Sequence, residues 1–168
     1  MDVKISKGAD IKLRGSADRV YANVPNSKYY AIKPSDFHLL TPKVVVKAGD
    51  YVEAGDILFY DKNFEVIKFT SPVSGSVSDI LRGEKRKILE VVIEAEQEIK
   101  YKKFNIGDLA DLNKQQIIDY MLNAGLWPFI RQRPFATIAN PMESPKAIFI
   151  SGFDSSPLAP DNDFIFHG

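Results

Sequence analysis

Trp127-Pro128-Phe129-Ile130-Arg131-Gln132-Arg133-Pro134-Phe135 is the stretch of this chain best supplied for recognition chemistry. Its rings present flat apolar faces and its guanidiniums present planar forks of donors. The loop therefore suits either a flat carbonyl-bearing ring or a desolvated protein surface. The plainer alternative is that Trp127 and Phe135 plug the loop onto neighbouring domains while the arginines pair with local acids. A second stretch, Tyr29 to Leu40, is apolar and aromatic around Pro34. Core packing is the leading reading of such a stretch; the second is a ligand-facing wall that would include Lys33, Phe37 and Leu40. The third, Arg82-Gly83-Glu84-Lys85-Arg86-Lys87, sets four cations in six residues. A hydrated hairpin turn explains that run; its functional reading is a docking turn, with Arg82, Lys85 and Arg86 meeting an acidic partner or a negatively charged membrane surface.

Most other chemistry is missing. The chain has 168 residues, no cysteine and two histidines, His38 and His167, that share no metal-ligand spacing. Thiolate metal sites, Cys-ligated iron–sulfur clusters, disulfides and cysteine nucleophiles are excluded together. No G-x-G-x-x-G, P-loop or Ser-His-Asp set can be assembled. Twenty-two basic and 22 acidic residues give zero net charge, so there is no general attraction for nucleic-acid phosphates. Met1 opens a polar stretch, and no run approaches the ~20 apolar residues needed to cross a bilayer. The expectation is a cytoplasmic chain, one able to dock onto a membrane partner.

The elements that must position these residues change character along the chain. Short β-rich runs, Val3 to Ile5, Ile11 to Leu13, Val44 to Val46, Ile57 to Tyr60, Val66 to Phe69, Val77 to Leu81 and Ile88 to Glu94, are separated by Gly, Pro, Asn and Asp. They predict a compact β sandwich or barrel over residues 1–100. From Ile106 the period becomes helical. Asp111 to Gln116 caps a helix near 112–123 on which Ile117, Tyr120 and Met121 share a face, and Asn123-Ala124-Gly125 stops it. A loop with Pro128, Pro134, Pro141 and Pro145 then crosses toward Ala147 to Ile150, a candidate buried strand. An isolated apolar strand cannot bury both faces, and the chain ends without a helix to cover it. Residues 101–145 are therefore expected to be a helix and crossing loop, and 146–168 the start of a truncated α/β domain.

Val46 to Phe59, with its Gly-Asp turns, followed by Phe69-Thr70-Ser71-Pro72-Val73-Ser74-Gly75-Ser76-Val77, resembles the biotinyl/lipoyl family, whose β sandwich presents a modified lysine at a hairpin tip. That family's spacing puts the tip here at Phe64 or Glu65, neither of which can be acylated. Lys62 lies two or three positions away, is followed by Asn63, and reads as an ordinary turn lysine. The carrier fold is expected without its swinging arm.

A longer ordered set of blocks runs through nearly the whole chain. It comprises Lys7 to Asp10, Gly49-Asp50, Lys68 to Gly75, Arg82 to Arg86, Val91 to Glu94, Gly125-Leu126-Trp127, Arg131 to Phe135, Ile148 to Ile150, and Asp154 followed by Pro157-Leu158-Ala159. Together these resemble the N-terminal portion of the A-subunit family of bacterial Na⁺-translocating NADH:quinone oxidoreductases. Tyr21 to Leu40 departs from the family pattern. The fold this implies is mainly β with an α+β appendage: a biotinyl/lipoyl-like barrel-sandwich hybrid, a helical linker and the first strand of an α/β (Rossmann-like) domain. The function it implies is a peripheral, non-catalytic subunit on the cytoplasmic face of the bacterial inner membrane, supporting electron transfer from NADH to quinone coupled to Na⁺ export.

The flavins and iron–sulfur cluster of such a complex would belong to other subunits, and none is expected in this chain. Ser74-Gly75-Ser76 also lacks the Thr that a covalent flavin motif requires. Expected partners are the other subunits, above all an integral membrane one, with quinone as a candidate ligand. The quinone or subunit interface would then draw on Trp127, Phe129, Arg131, Arg133, Phe135, Lys33, Phe37 and Leu40. Alternative readings are a component like the C-subunit of an Rnf-type ferredoxin-dependent pump, a non-catalytic carrier-like adaptor, and an acylated carrier module.

Overall fold

Ala-Gly-Asp occurs twice, at residues 48–50 and 54–56, and both copies fold alike. In the computed structural model, which describes residues 14, 18–150, 159 and 161–167, Gly49 (φ 92°) and Gly55 (φ 101°) supply the left-handed backbone of two tight turns. Each aspartate closes its own turn twice. Asp50 donates its amide to Lys47 O (3.1 Å) and accepts Lys47 N at Oδ2 (2.7 Å); Asp56 repeats both bonds with Glu53, each at 2.9 Å.

Between the two turns lies β3 (Tyr51–Val52). Around it the chain forms β1 (Tyr29–Ile32), β2 (Pro42–Val44), β4 (Ile57–Asp61), β5 (Lys68–Thr70), β6 (Gly75–Arg82) and β7 (Ile88–Ala95). One antiparallel sheet has the order β1-β7-β6-β3 and the other β2-β4-β5. Period-two alternation puts Val91 and Ile93 of β7 and Val77 of β6 inside, and a bulge at Leu89 returns Ile88 to the same face. They meet Leu58, Phe59, Ile67 and Phe69 from the other sheet in a single core. Phe59 and Phe69 stack with centroids 4.7 Å apart. The chain returns after β7 to run beside Ala54, whose amide donates to Lys100 O and whose carbonyl accepts Lys102 N, both at 2.9 Å.

Several boundaries move from expectation. The run Val66 to Phe69 becomes β5 two residues later, because Phe64 to Ile67 form the turn: Ile67 N donates to Phe64 O at 2.9 Å. The runs at 3–5 and 11–13 lie outside the described residues. β1, which the runs above did not include, is among the described residues an edge strand of the four-stranded sheet. Tyr30 and Ile32 turn inward, Tyr29 and Ala31 outward, and the flanking Lys28 and Lys33 reach Glu94 (2.9 Å) and Glu90 (3.4 Å) on β7.

The helix expected near 112–123 is α1 (Lys114–Asn123). Asn113 accepts the Gln116 amide and Gln116 answers the Asn113 amide, a complete capping box, and Gly125 (φ 70°) ends the helix. The Pro-rich segment after it is shaped rather than open. Trp127–Phe129 makes a 3₁₀ turn, and β8 (Arg131–Gln132) pairs with β9 (Thr137–Ile138) in a small hairpin. Trp127 and Leu122 join the β core, so residues 26–144 form one compact unit.

The second unit comprises residues 1–25 and 145–168. Within it α2 (Asn162–His167) starts at Asp161, which accepts the Phe164 amide (3.1 Å) and pairs with Arg19 (2.6 Å). Tyr21 stacks on Phe164 with centroids 4.8 Å apart. A short helix thus follows where none was expected. The buried strand expected at Ala147 to Ile150 is not formed. Ile148, Phe149 and Ile150 are 78, 90 and 84% exposed and have no strand partner among the described residues, and an apolar run becomes a strand only where another pairs with it.

Candidate functional site

Phe37 joins two of the sequence stretches that were candidates for recognition. Pro34 presets the backbone of a 3₁₀ turn, Pro34–Asp36, which the Phe37 amide closes on Pro34 O (3.2 Å). The Phe37 ring then stands edge-on to buried Phe69 (4.7 Å, 73°) and to Phe129 (6.5 Å, 66°), with the Arg131 guanidinium 5.4 Å above it. Phe129 is 71% exposed. The result is a surface with two aromatic faces and one cation, fixed from below by the core.

Trp127 is the fixing element. It is buried, and its indole Nε1 donates to Ala139 O at 2.8 Å, so the side chain is both packed and satisfied. Pro128 beside it is fully buried. Gly125 sits so close to β5 that a Cβ there would lie 2.5 Å from Thr70 Oγ1, and Lys68 Nζ donates to Asn123 Oδ1. These contacts dock the helix end and the turn onto β5, aiming Phe129 and Arg131 at Phe37.

Not every candidate converges. Phe135 is 76% exposed, so it does not plug the loop as the plainer sequence reading had it; Trp127 and Pro128 do that alone. Arg133 is exposed at the far end of the hairpin, and Arg131 meets Phe37 and donates to Ala136 O (3.3 Å), with neither arginine in an ion pair among the described residues. Lys33 turns away to Glu90. Leu40 is half-buried against the core. Arg82 ends β6, while Lys85 and Arg86 occupy the exposed β6–β7 turn. Lys62 opens the β4–β5 turn with its amide on Thr41 O (2.8 Å), and Phe64 and Glu65 lie within that turn.

A polar group centred on Ser74 was not among the sequence candidates. Ser74 is fully buried; its hydroxyl accepts the Lys100 amide (2.8 Å) and donates to Glu96 Oε2 (3.0 Å), which also accepts from Tyr51 Oη (2.8 Å). The Tyr51 and Ser74 hydrogen bonds, with the Lys100 ammonium, hold the Glu96 carboxyl below its ordinary 4.5. A depressed folded value means that this contribution is complete above the ordinary carboxylate range and is lost as pH falls through the folded value. Ser74→Ala should cost about 1–3 kcal/mol by leaving the Lys100 amide unpaired. NMR titration should move the Glu96 value up toward 4.5 in that variant; an unmoved value would mean that Ser74 does not hold the carboxylate. The signal for it was the Ser after Pro72-Val73, whose partners lie 22 and 26 positions on.

Among the described residues there is no group of three His, Cys, Asp or Glu side chains placed to hold a metal, and no helix is long and apolar enough to cross a membrane.

Residues 3–96 match the family described as the NqrA N-terminal barrel-sandwich hybrid domain, and residues 112–168 match the NqrA second alpha/beta domain. The second match begins inside what is structurally one unit, since residues 112–144 pack on the β core. Similar proteins include the A-subunit of the Na(+)-translocating NADH-quinone reductase of Teredinibacter turnerae, 36% identical over 98% of this chain and 38% of its own length. The proteins of that name from a Marinomonas species and Pseudomonas aeruginosa are 35% and 34% identical, over 93% and 95% of this chain and 36% of theirs. The chain thus spans little more than a third of these relatives. With the family match covering more than half its residues and the two β sheets folding as that match requires, the chain belongs to the NqrA family through an N-terminal barrel-sandwich hybrid domain.

Proposed function

We propose that this chain serves as part of the A-subunit of a Na⁺-translocating NADH:quinone reductase, a peripheral component on the cytoplasmic face of the bacterial inner membrane that supports electron transfer from NADH to quinone coupled to Na⁺ export. The observation that carries this reading is the similarity, along nearly the whole chain, to relatives bearing that name. Those names favour it over an Rnf-type component or a free adaptor. The chain itself contributes no redox group: with no cysteine it cannot ligate an iron–sulfur cluster through thiolates, and the flavins of the complex sit in other subunits. Residues 1–100 are the carrier-like domain, 101–145 its helical and hairpin attachment, and 146–168 the beginning of the α/β domain; the family matches over 3–96 and 112–168 support the first division.

Phe37, Phe129 and Arg131 form the interface for a membrane-embedded partner or a quinone head group. A flat ring can lie against Phe129 while Arg131 donates to a carbonyl, and the same surface suits an aromatic anchor from a partner. Lys33, Leu40, Arg133 and Phe135 would border it rather than build it. Arg131→Ala should lower the stability of the chain by no more than about 1 kcal/mol, the scale of an exposed cation–π contact, and Arg133→Ala by less than about 0.5 kcal/mol. In the assembled complex Arg131→Ala should cut retention of this chain or quinone affinity by at least tenfold, because a desolvated interfacial Arg contributes ~2 kcal/mol or more. Thermal melting of the chain and quinone-dependent Na⁺ transport of the complex separate the two effects. Normal assembly and transport in the combined Arg131→Ala, Arg133→Ala variant would leave the loop a structural attachment only.

A further inference from the structure

A cleft of about 490 Å³ lies between the segment 34–42 and the β6–β7 turn, with Lys62 on its wall. Four cations line it, Lys62, Lys85, Arg86 and Lys87, beside the apolar Leu39 and Leu40. No carboxylate lines it, although Asp36 and Glu84 are close by in sequence, and none of the four cations forms an ion pair among the described residues. The chain carries no net charge, so this concentration is local.

The backbone around the cleft is strained. Among the described residues only four non-glycine positions have positive φ, and three of them, Leu39 (62°), Lys85 (52°) and Arg86 (62°), line this cleft. Lys87 N closes the turn on Glu84 O (3.1 Å) around Lys85 and Arg86, a two-residue geometry that Asn-Gly adopts with little strain and Lys-Arg does not. Leu39 adds an apolar side chain 72% exposed, again on a left-handed backbone. Strain at three positions, each holding an unpartnered cation or aliphatic group at one cleft, marks residues kept for something other than stability.

We propose that this cleft docks an acidic polypeptide segment carrying an aliphatic residue. Carboxylates of the segment would meet Lys62, Lys85, Arg86 and Lys87, and its aliphatic side chain would pack on Leu39 and Leu40. The cations and the two leucines flank a concave cleft rather than a flat face, which favours a polypeptide segment over a bilayer. The inference does not depend on the proposed place in the reductase, and its test needs no other chain, so either can fail alone.

The probe is a fluorescein-labelled peptide of glutamates interrupted by leucines, titrated onto the full chain by anisotropy. Its counterpart with every Glu replaced by Gln, and phosphatidylglycerol vesicles, serve as comparisons. The Glu peptide should bind, weaken as NaCl is raised, and lose at least ~tenfold in affinity in the double variant Lys85→Asn, Arg86→Gly, whose melting temperature should rise because the turn is relieved. Leu39→Gly should weaken binding without lowering the melting temperature. Failure of the Glu peptide to bind, equal binding by the Gln peptide, or unchanged affinity in the double variant would overturn the proposal. Vesicle binding without peptide binding would overturn it in favour of a membrane contact, and a lower melting temperature in the double variant would remove the strain on which it rests.

Discussion

Gly75→Ala should destabilise the β unit by about 4 kcal/mol or more, enough to lower its melting temperature by on the order of 10 °C. Gly75 pairs with both Val52 and Ala95, so it is held from two sides. Its φ is 154°, and a Cβ there would lie 2.0 Å from Glu94 O and 2.9 Å from the carbonyl carbon. Those atoms are backbone of β7 and cannot yield as a side-chain end could; the strand would have to leave its partner. Gly49→Ala is the control. Gly49 also has positive φ (92°) but nothing within 4 Å of the added carbon, so it should cost only the ~1–2 kcal/mol of a left-handed backbone. Urea denaturation of both variants decides the matter, and equal losses would show that the close approach at Glu94 is not what requires glycine.

Trp127→Ala should cost about 3–5 kcal/mol, the usual loss for truncating a buried Trp. Part of that comes from the cavity beside Leu122, and part from leaving Ala139 O without the indole donor. Trp127→Phe should recover most of the packing but not the hydrogen bond. Phe129→Ala, two residues on, should change stability by only about 0.5 kcal/mol, because that ring is 71% exposed. Hydrogen exchange should show protection falling across α1 and the β8–β9 hairpin in Trp127→Ala while β6 and β7 keep theirs. A loss under ~1 kcal/mol would mean that Trp127 is not the wedge that holds Phe129 and Arg131 in position.

Local signals were legible in the sequence because their partners lie within a few residues. The Ala-Gly-Asp turns, the capping box of Asn113 and Gln116, the stop at Gly125 and the long strands β6 and β7 all appear where residue type and spacing put them. The meeting of Phe37, Phe129 and Arg131 was not legible, since it joins segments some ninety residues apart and no periodicity encodes it. β1 was hidden because Tyr-Tyr-Ala-Ile before a Pro reads as an undifferentiated apolar stretch until β7 supplies its register. The Pro-rich loop concealed a hairpin whose strands are two residues each, too short to carry alternation. Ile148 to Ile150 erred the other way, having the composition of a strand without a strand beside it among the described residues.

The tethering of β1 by Lys28 to Glu94 and Lys33 to Glu90 bears on solubility. Among the described residues the edge reading Tyr-Tyr-Ala-Ile is unpaired, the kind of template on which a second molecule could add a strand and start an aggregate. Here the template is four residues long, closed at one end by Pro34 and bracketed by two lysines paired with glutamates of β7, its inner neighbour. An incoming strand would find too few free backbone groups to extend and a hydrated ion pair at either end. The same ion pairs that look unimportant for stability act as gatekeepers against self-association.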